Sequence, residues 1–142
     1  MSLANANILL LDDDKIDVMA IKRSFMALNI TNPVVEAQNG IEAFEHLRGL
    51  NGRTKIALPC LILLDLNMPR MGGIEFLGEL RRDPELRRIL VFITTTSDAA
   101  RDRNLAYDFN VAGYILKHRA NDSFHASMAT LANYWEMIEF PD

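Results

Sequence analysis

Five short, unbroken apolar runs recur along the chain, each followed by a segment whose apolar residues fall at helical spacing, and this alternation constrains the fold more than any other feature. Ile8-Leu9-Leu10-Leu11 precedes Val18, Ile21, Phe25 and Leu28, and Val34-Val35 precedes Ile41, Phe44 and Leu47 beyond the Asn39-Gly40 turn. Leu61-Ile62-Leu63-Leu64 precedes Ile74, Leu77 and Leu80, and the run from Ile89 to Ile93 precedes Leu105 and Phe109. Tyr114-Ile115-Leu116 closes the series before Phe124, Met128, Leu131, Trp135 and Ile138. Strands that stay apolar without alternating are buried on both faces, and the helices between them supply the cover. The expected architecture is an α/β doubly wound, five-stranded parallel sheet, one domain over residues 1–142 with a core at about 7–139. Right-handed crossovers gather the C-terminal ends of the strands along one edge, where such sheets bind ligands.

Composition narrows the functions such a sheet can serve. A formal charge of −4 and a pI near 5.3 argue against a chain that neutralises nucleic-acid phosphates or anionic lipid. The longest mainly apolar stretch, Ala57 to Leu64, is broken by Pro59 and falls far short of the ~20 residues of a membrane span. Met1-Ser2-Leu3-Ala4-Asn5 lacks the basic start and long apolar core of an export signal, so the cytoplasm is the expected location. The single cysteine, Cys60, forms no intrachain disulfide and reads as a small buried apolar residue.

The chemistry gathers at the ends of the runs. Leu11 is followed by Asp12-Asp13-Asp14 and Leu64 by Asp65. Carboxylates so placed repel unless positive charge lies between them, and Mg²⁺, which prefers carboxylate and carbonyl oxygens, would supply it. Asp12 to Asp14 would equally serve to begin the first helix, since acidic residues favour helix N-termini. Thr94-Thr95-Thr96-Ser97 follows the fourth run with hydroxyls able to bond an anion, and Lys117 follows the fifth. Each alone is ordinary, Thr as a cap and Lys as a solvated end. Together they compose a phosphoryl-transfer constellation of nucleophile, metal and charge stabilisers.

With Asp12-Asp13, Leu64-Asp65-Leu66-Asn67-Met68-Pro69, Gly72-Gly73, Thr95 and Gly113-Tyr114-Ile115-Leu116-Lys117 in this order, the chain resembles the receiver domains of two-component response regulators, with their flavodoxin-like (CheY-like) fold. The triple Asp, the long loop before the third strand and Thr95-Thr96-Ser97 look most like the single-domain subgroup associated with bacterial phytochrome kinases. The resemblance implies that Asp65 accepts a phosphoryl group from a histidine kinase or phosphotransfer protein. It implies that Asp13 ligates Mg²⁺ directly, Asp12 acts through the metal's water shell, and the backbone carbonyl of Asn67 completes the protein ligands. Thr95 would bond the phosphoryl group, Lys117 would pair with it, and Tyr114 would move inward as Thr95 moves. Asn67 and Ser97 would influence hydrolysis, with Thr96 and His118 also modulating the site. Strand register decides whether Thr94, Thr95 or Thr96 faces it.

One departure from the family stands out. Lys117-His118 replaces the usual Lys-Pro pair with its cis peptide. A non-proline cis bond costs ~3 kcal/mol, so a trans bond and a repositioned or more mobile Lys117 are expected. Beside a phosphorylated site the charge of His118 near neutral pH would matter.

Signalling would then be a switch read by a partner protein at the fourth helix, fifth strand and last helix, with no effector domain. A phosphorylation-independent interaction module is the competing reading, supported only by His118. A Mg²⁺-dependent phosphohydrolase would need a second acid two residues after the nucleophile, and Asn67 stands there. His46, His118 and His125 lack metal-ligand spacing, and His46 and His125 read as helix-surface residues. Arg81, Arg82, Arg87 and Arg88 read as a solvated basic cluster. Tyr134, Trp135, Met137, Ile138 and Phe140 exceed what one buried face requires, so a homodimer through the last helix and strand is expected.

Overall fold

The computed structural model describes residues 6–117 and 124–141. Its elements are β1 (Asn7–Leu11), α1 (Lys15–Ala27), β2 (Val34–Ala37), α2 (Gly40–Arg48), β3 (Cys60–Leu64), α3 (Gly73–Arg82), β4 (Leu90–Thr95), α4 (Ala100–Asp108), β5 (Gly113–Leu116) and α5 (Phe124–Met137). All the strands are parallel, in the order β2-β1-β3-β4-β5. Each apolar run of the sequence is a strand, and each segment of helical period is the helix that follows it. No described helix is long and apolar enough to cross a membrane.

Alternation along the strands sends their side chains to two separate cores. Leu9, Leu11, Ile62, Leu64, Val91 and Ile93 pack under α2, α3 and α4 with Phe44, Leu47, Phe76, Leu77, Leu80 and Ala106. Ile8, Leu10, Leu61, Leu63 and Phe92 pack under α1 and α5 with Val18, Ile21, Phe25, Met128, Leu131 and Trp135. Cys60 is buried, and burial pushes its thiol up to about 12.

Three expectations about packing need correcting. Trp135 and Phe140 belong to the core, so the exposed apolar surface of the last helix reduces chiefly to Tyr134 and Met137. Arg81 is not a solvated charge: its guanidinium donates to the carbonyls of Phe109, Arg87, Ile89 and Asn110. It thereby ties the C-terminal ends of α3 and α4 to the start of β4. His46 is half-buried, its Nε2 lies 3.2 Å from Arg53 Nη1, and burial with that neighbouring charge holds its pKa down.

Candidate functional site

The sheet ladder carries β1 and β3 straight into the acidic residues. The Asp12 amide donates to Ala37 O at 3.0 Å and the Asp65 amide to Leu11 O at 2.9 Å. Beyond β1 the chain turns at once, because Asp12 Oδ1 accepts from the Asp14 amide at 2.9 Å. Asp14 then caps α1 by accepting from the amides of Ile16 and Asp17. The triple Asp therefore does both things its sequence allowed: Asp14 begins the helix, while Asp12 and Asp13 face the cluster.

Carboxylate oxygens from Asp12, Asp13 and Asp65 lie within 4.8 Å of one another. Into this cluster Lys117 sends its ammonium from the end of β5. Its Nζ donates to Asp12 Oδ2 at 2.6 Å and to Asp17 Oδ2 at 2.9 Å, and lies 3.4 Å from Asp65 Oδ2. Lys117 is only 6% exposed. Three carboxylates thus converge on the ammonium and hold it in the cluster. His118 and the Lys117-His118 peptide lie outside the described residues, as does the side chain of His125.

The electrostatics favour a cation. Burial raises the Asp12 carboxyl to about 6, outweighing the hydrogen bonds and charge of Lys117 that pull it down. For Lys117, burial lowers the pKa, but the hydrogen bonds to Asp12 and Asp17 and the charges of Asp12 and Asp65 overcome it, so the net shift is upward. Hard oxygen donors carrying surplus negative charge, one of them costly to ionise, fit a divalent ion with an oxygen-rich shell.

The loop after Asp65 is fixed by close approach. A Cβ on Gly73 would lie 2.6 Å from Leu66 Cα and 2.7 Å from Asp65 O, so no larger residue fits at the start of α3. The left-handed residue of that loop is Arg70, at φ 62°, while Gly72 keeps an ordinary φ of −74°. Asn67 is exposed, and its amide donates to Asp65 Oδ1 at 3.3 Å.

A second, neutral set lies at the end of β4. Thr95 is fully buried on the α3/α4 face and Thr96 is exposed. Thr95 Oγ1 accepts from the Ser97 amide at 3.3 Å. Ser97 also makes three other bonds: its Oγ donates to Asp102 Oδ2 at 2.6 Å and accepts from the Ala99 amide at 3.4 Å, and its carbonyl accepts from the Tyr114 hydroxyl at 2.8 Å. Burial raises the Tyr114 pKa. Thus Thr95, Tyr114 and α4 all meet at Ser97.

The structure adds two residues to those singled out from the sequence, Asp17 and Asp102. Asp17 lies one helical turn from Asp13 and Asp14, so helical spacing could have placed it on the same side. Asp102 carried no comparable signal, because its role depends on how the β4–α4 loop turns.

A parallel sheet that gathers carboxylates, a buried ammonium and a threonine hydroxyl on its C-terminal edge defines a receiver module. Comparison with known proteins agrees. The family model for the response regulator receiver domain matches residues 8–129. The chain is 32% identical over 128 residues to the probable methanogenesis regulatory protein FilR2 of Methanothrix harundinacea, covering 90% of this chain and 82% of that one. It is 30% identical over 135 residues to response regulator Rcp1 of Synechocystis, covering 94% and 92% of the two chains. The crystal structure of the phosphorylated cyanobacterial phytochrome response regulator RcpA superposes with a TM-score of 0.87 at 31% identity, covering 96% of this chain and 99% of that one. The Mn²⁺-bound form of Rcp1 superposes at 0.83, with 27% identity over 96% and 99% of the two chains. This chain belongs to the response regulator receiver domain family, the receiving half of two-component signalling.

Proposed function

We propose that the chain accepts a phosphoryl group from a histidine kinase on Asp65. The observation that carries this is the convergence on Asp65 of a buried ammonium, from Lys117, and of the carboxylates of Asp12 and Asp13. An Asp65 oxygen attacks phosphorus in line, the bond to the donor's imidazole nitrogen breaks, and that nitrogen keeps the electron pair. A carboxylate is a weak nucleophile, so positioning and charge neutralisation carry the acceleration. Asp12, Asp13 and the Asn67 carbonyl would hold Mg²⁺, which when bound neutralises charge on the phosphoryl oxygens. Lys117 supplies a second positive charge, and Thr95 supplies a hydroxyl.

Phosphorylation replaces the single negative charge of the Asp65 carboxylate with the nearly two of an acyl phosphate, carried on oxygens farther out, and draws Lys117 and Thr95 inward. Because the Ser97 amide is bonded to Thr95, the move disturbs the Tyr114 hydroxyl and Asp102 of α4 together. Output would be protein binding at α4, β5 and α5. Similarity to RcpA and Rcp1 along almost the whole chain supports a phytochrome-type kinase as the donor. Asn67 in place of an acid supports a switch over a turnover phosphohydrolase. The assembled cluster favours a working acceptor over a phosphorylation-independent module. Tyr134 and Met137 offer the surface for a second copy, tested by light scattering at tens of micromolar.

The central test is intact mass after incubation with Mg²⁺ and a small acyl phosphate. One added phosphoryl group is expected, absent with EDTA and absent in Asp65→Asn. No adduct on the unaltered chain would remove the reading.

A further inference from the structure

The row of residues that ends the sheet contains one hydroxyl the foregoing mechanism does not use. Leu11, Leu64 and Ile93 are register partners across β1, β3 and β4. One residue further on, the same register sets Asp12, Asp65 and Thr94 side by side. Leu10, Leu63 and Phe92, two residues before each of them, all face α1 and α5, so Asp12, Asp65 and Thr94 share that face. Lys117 lies two residues beyond Ile115, the partner of Thr94 in β5, and projects to the same side. Thr94 is 0% exposed, and its Oγ1 has no hydrogen-bond partner among the described residues. An orphan hydroxyl in a sealed position costs stability where valine would fit the same space.

The reason lies in what the ammonium must do. Lys117 is committed most closely to Asp12 and Asp17, and its contact with Asp65 is the longest of the three. Its third N–H already points toward Asp65, but following a phosphoryl group carried on that carboxylate draws the ammonium away from one of the closer two. The released N–H would be stranded in a pocket that solvent barely reaches. We propose that Thr94 is a positioning residue for phosphoryl transfer: its hydroxyl oxygen receives Lys117 when the ammonium leaves Asp12 or Asp17 for the phosphoryl group. This rests on Asp65 as the acceptor.

The test compares Thr94→Val and Thr94→Ser with the unaltered chain and with Asp65→Asn. Thr94→Val should melt a few degrees higher, because the orphan hydroxyl is gone. It should be labelled by a small acyl phosphate about tenfold more slowly, the loss expected for one hydrogen bond to a charged group. Thr94→Ser should restore the rate to within about twofold. The Lys117 side-chain NMR signals should shift on adding fluoroberyllate, a phosphoryl mimic, in the unaltered chain and in Thr94→Ser but not in Thr94→Val. Labelling of Thr94→Val at the unaltered rate, with a full Lys117 response, would overturn the proposal and leave Asp65 as acceptor. A lower melting temperature for Thr94→Val would also overturn it, since the hydroxyl would then have a resting partner. Failure to label the unaltered chain would instead remove the acceptor reading itself.

Discussion

Helices α3 and α4 both follow a strand that ends at the site, yet they are held in opposite ways. α3 buries Gly73, Phe76, Leu77, Gly78 and Leu80, and its first residue is pressed against the Asp65-Leu66 backbone. α4 buries only Ala106, and Ala99 at its N-cap position offers no side-chain cap. Its far end is stapled by Arg81 to α3 and β4, while its near end is held by local hydrogen bonds, Ser97 Oγ to Asp102 and to the Ala99 amide and Arg103 to the Asp98 carbonyl. Rigidity surrounds the nucleophile, and looseness lies where the signal must leave. Low local stability is what an element that moves requires.

The contrast can be broken most directly at Gly73. A methyl group there overlaps backbone rather than a flexible side chain, so Gly73→Ala is expected to destabilise by roughly 3 kcal/mol or more, with labelling of Asp65 impaired. Denaturant melts and acyl-phosphate labelling read both effects. Arg81→Met should cost about 2 kcal/mol by stranding carbonyls at the end of α4. Hydrogen exchange should then rise around Phe109 and Asn110 while α3 stays protected, and equal loss of protection in both helices would contradict the staple.

Protons sharpen the comparison, because the acidic half titrates near neutrality through Asp12. Its folded pKa of about 6 exceeds the ordinary 3.8, so the folded chain holds that proton more tightly than the unfolded one. The contribution of Asp12 to stability therefore declines as pH rises from about 4 to about 6 and is flat above. Below about 6 a divalent cation must displace the proton, so Mg²⁺ affinity should fall about tenfold per pH unit there and level off above, as metal titration would show. The smallest effect belongs to α4. Ser97→Ala should cost about 1 kcal/mol or less, yet change the Tyr114 ring signals and the amides of α4 while leaving α3 unmoved.

The five strands, their crossovers and the acidic edge were legible because two-sided burial leaves unbroken apolar runs, and strand ends must fall where those runs stop. Asp65, Asp12, Asp13 and Lys117 could be read for the same reason: charges directly after apolar runs share an edge. Ile41 misled, since it keeps the helical spacing of Phe44 and Leu47 yet is exposed. Arg81 misled more, because a run of arginines gives no sign that one of them faces carbonyls of distant residues. The choice among Thr94, Thr95 and Thr96 needed register, which three adjacent identical residues cannot encode.

The only cysteine of the chain lies under the sheet with its thiol held up at about 12. At pH 7 its thiolate fraction is roughly one part in 100,000, far below that of a free cysteine. Alkylating reagents and thiol oxidants therefore find almost nothing to react with at Cys60. The practical return is a chain that is silent to thiol labelling, so a single cysteine introduced on α4 would report on that helix alone.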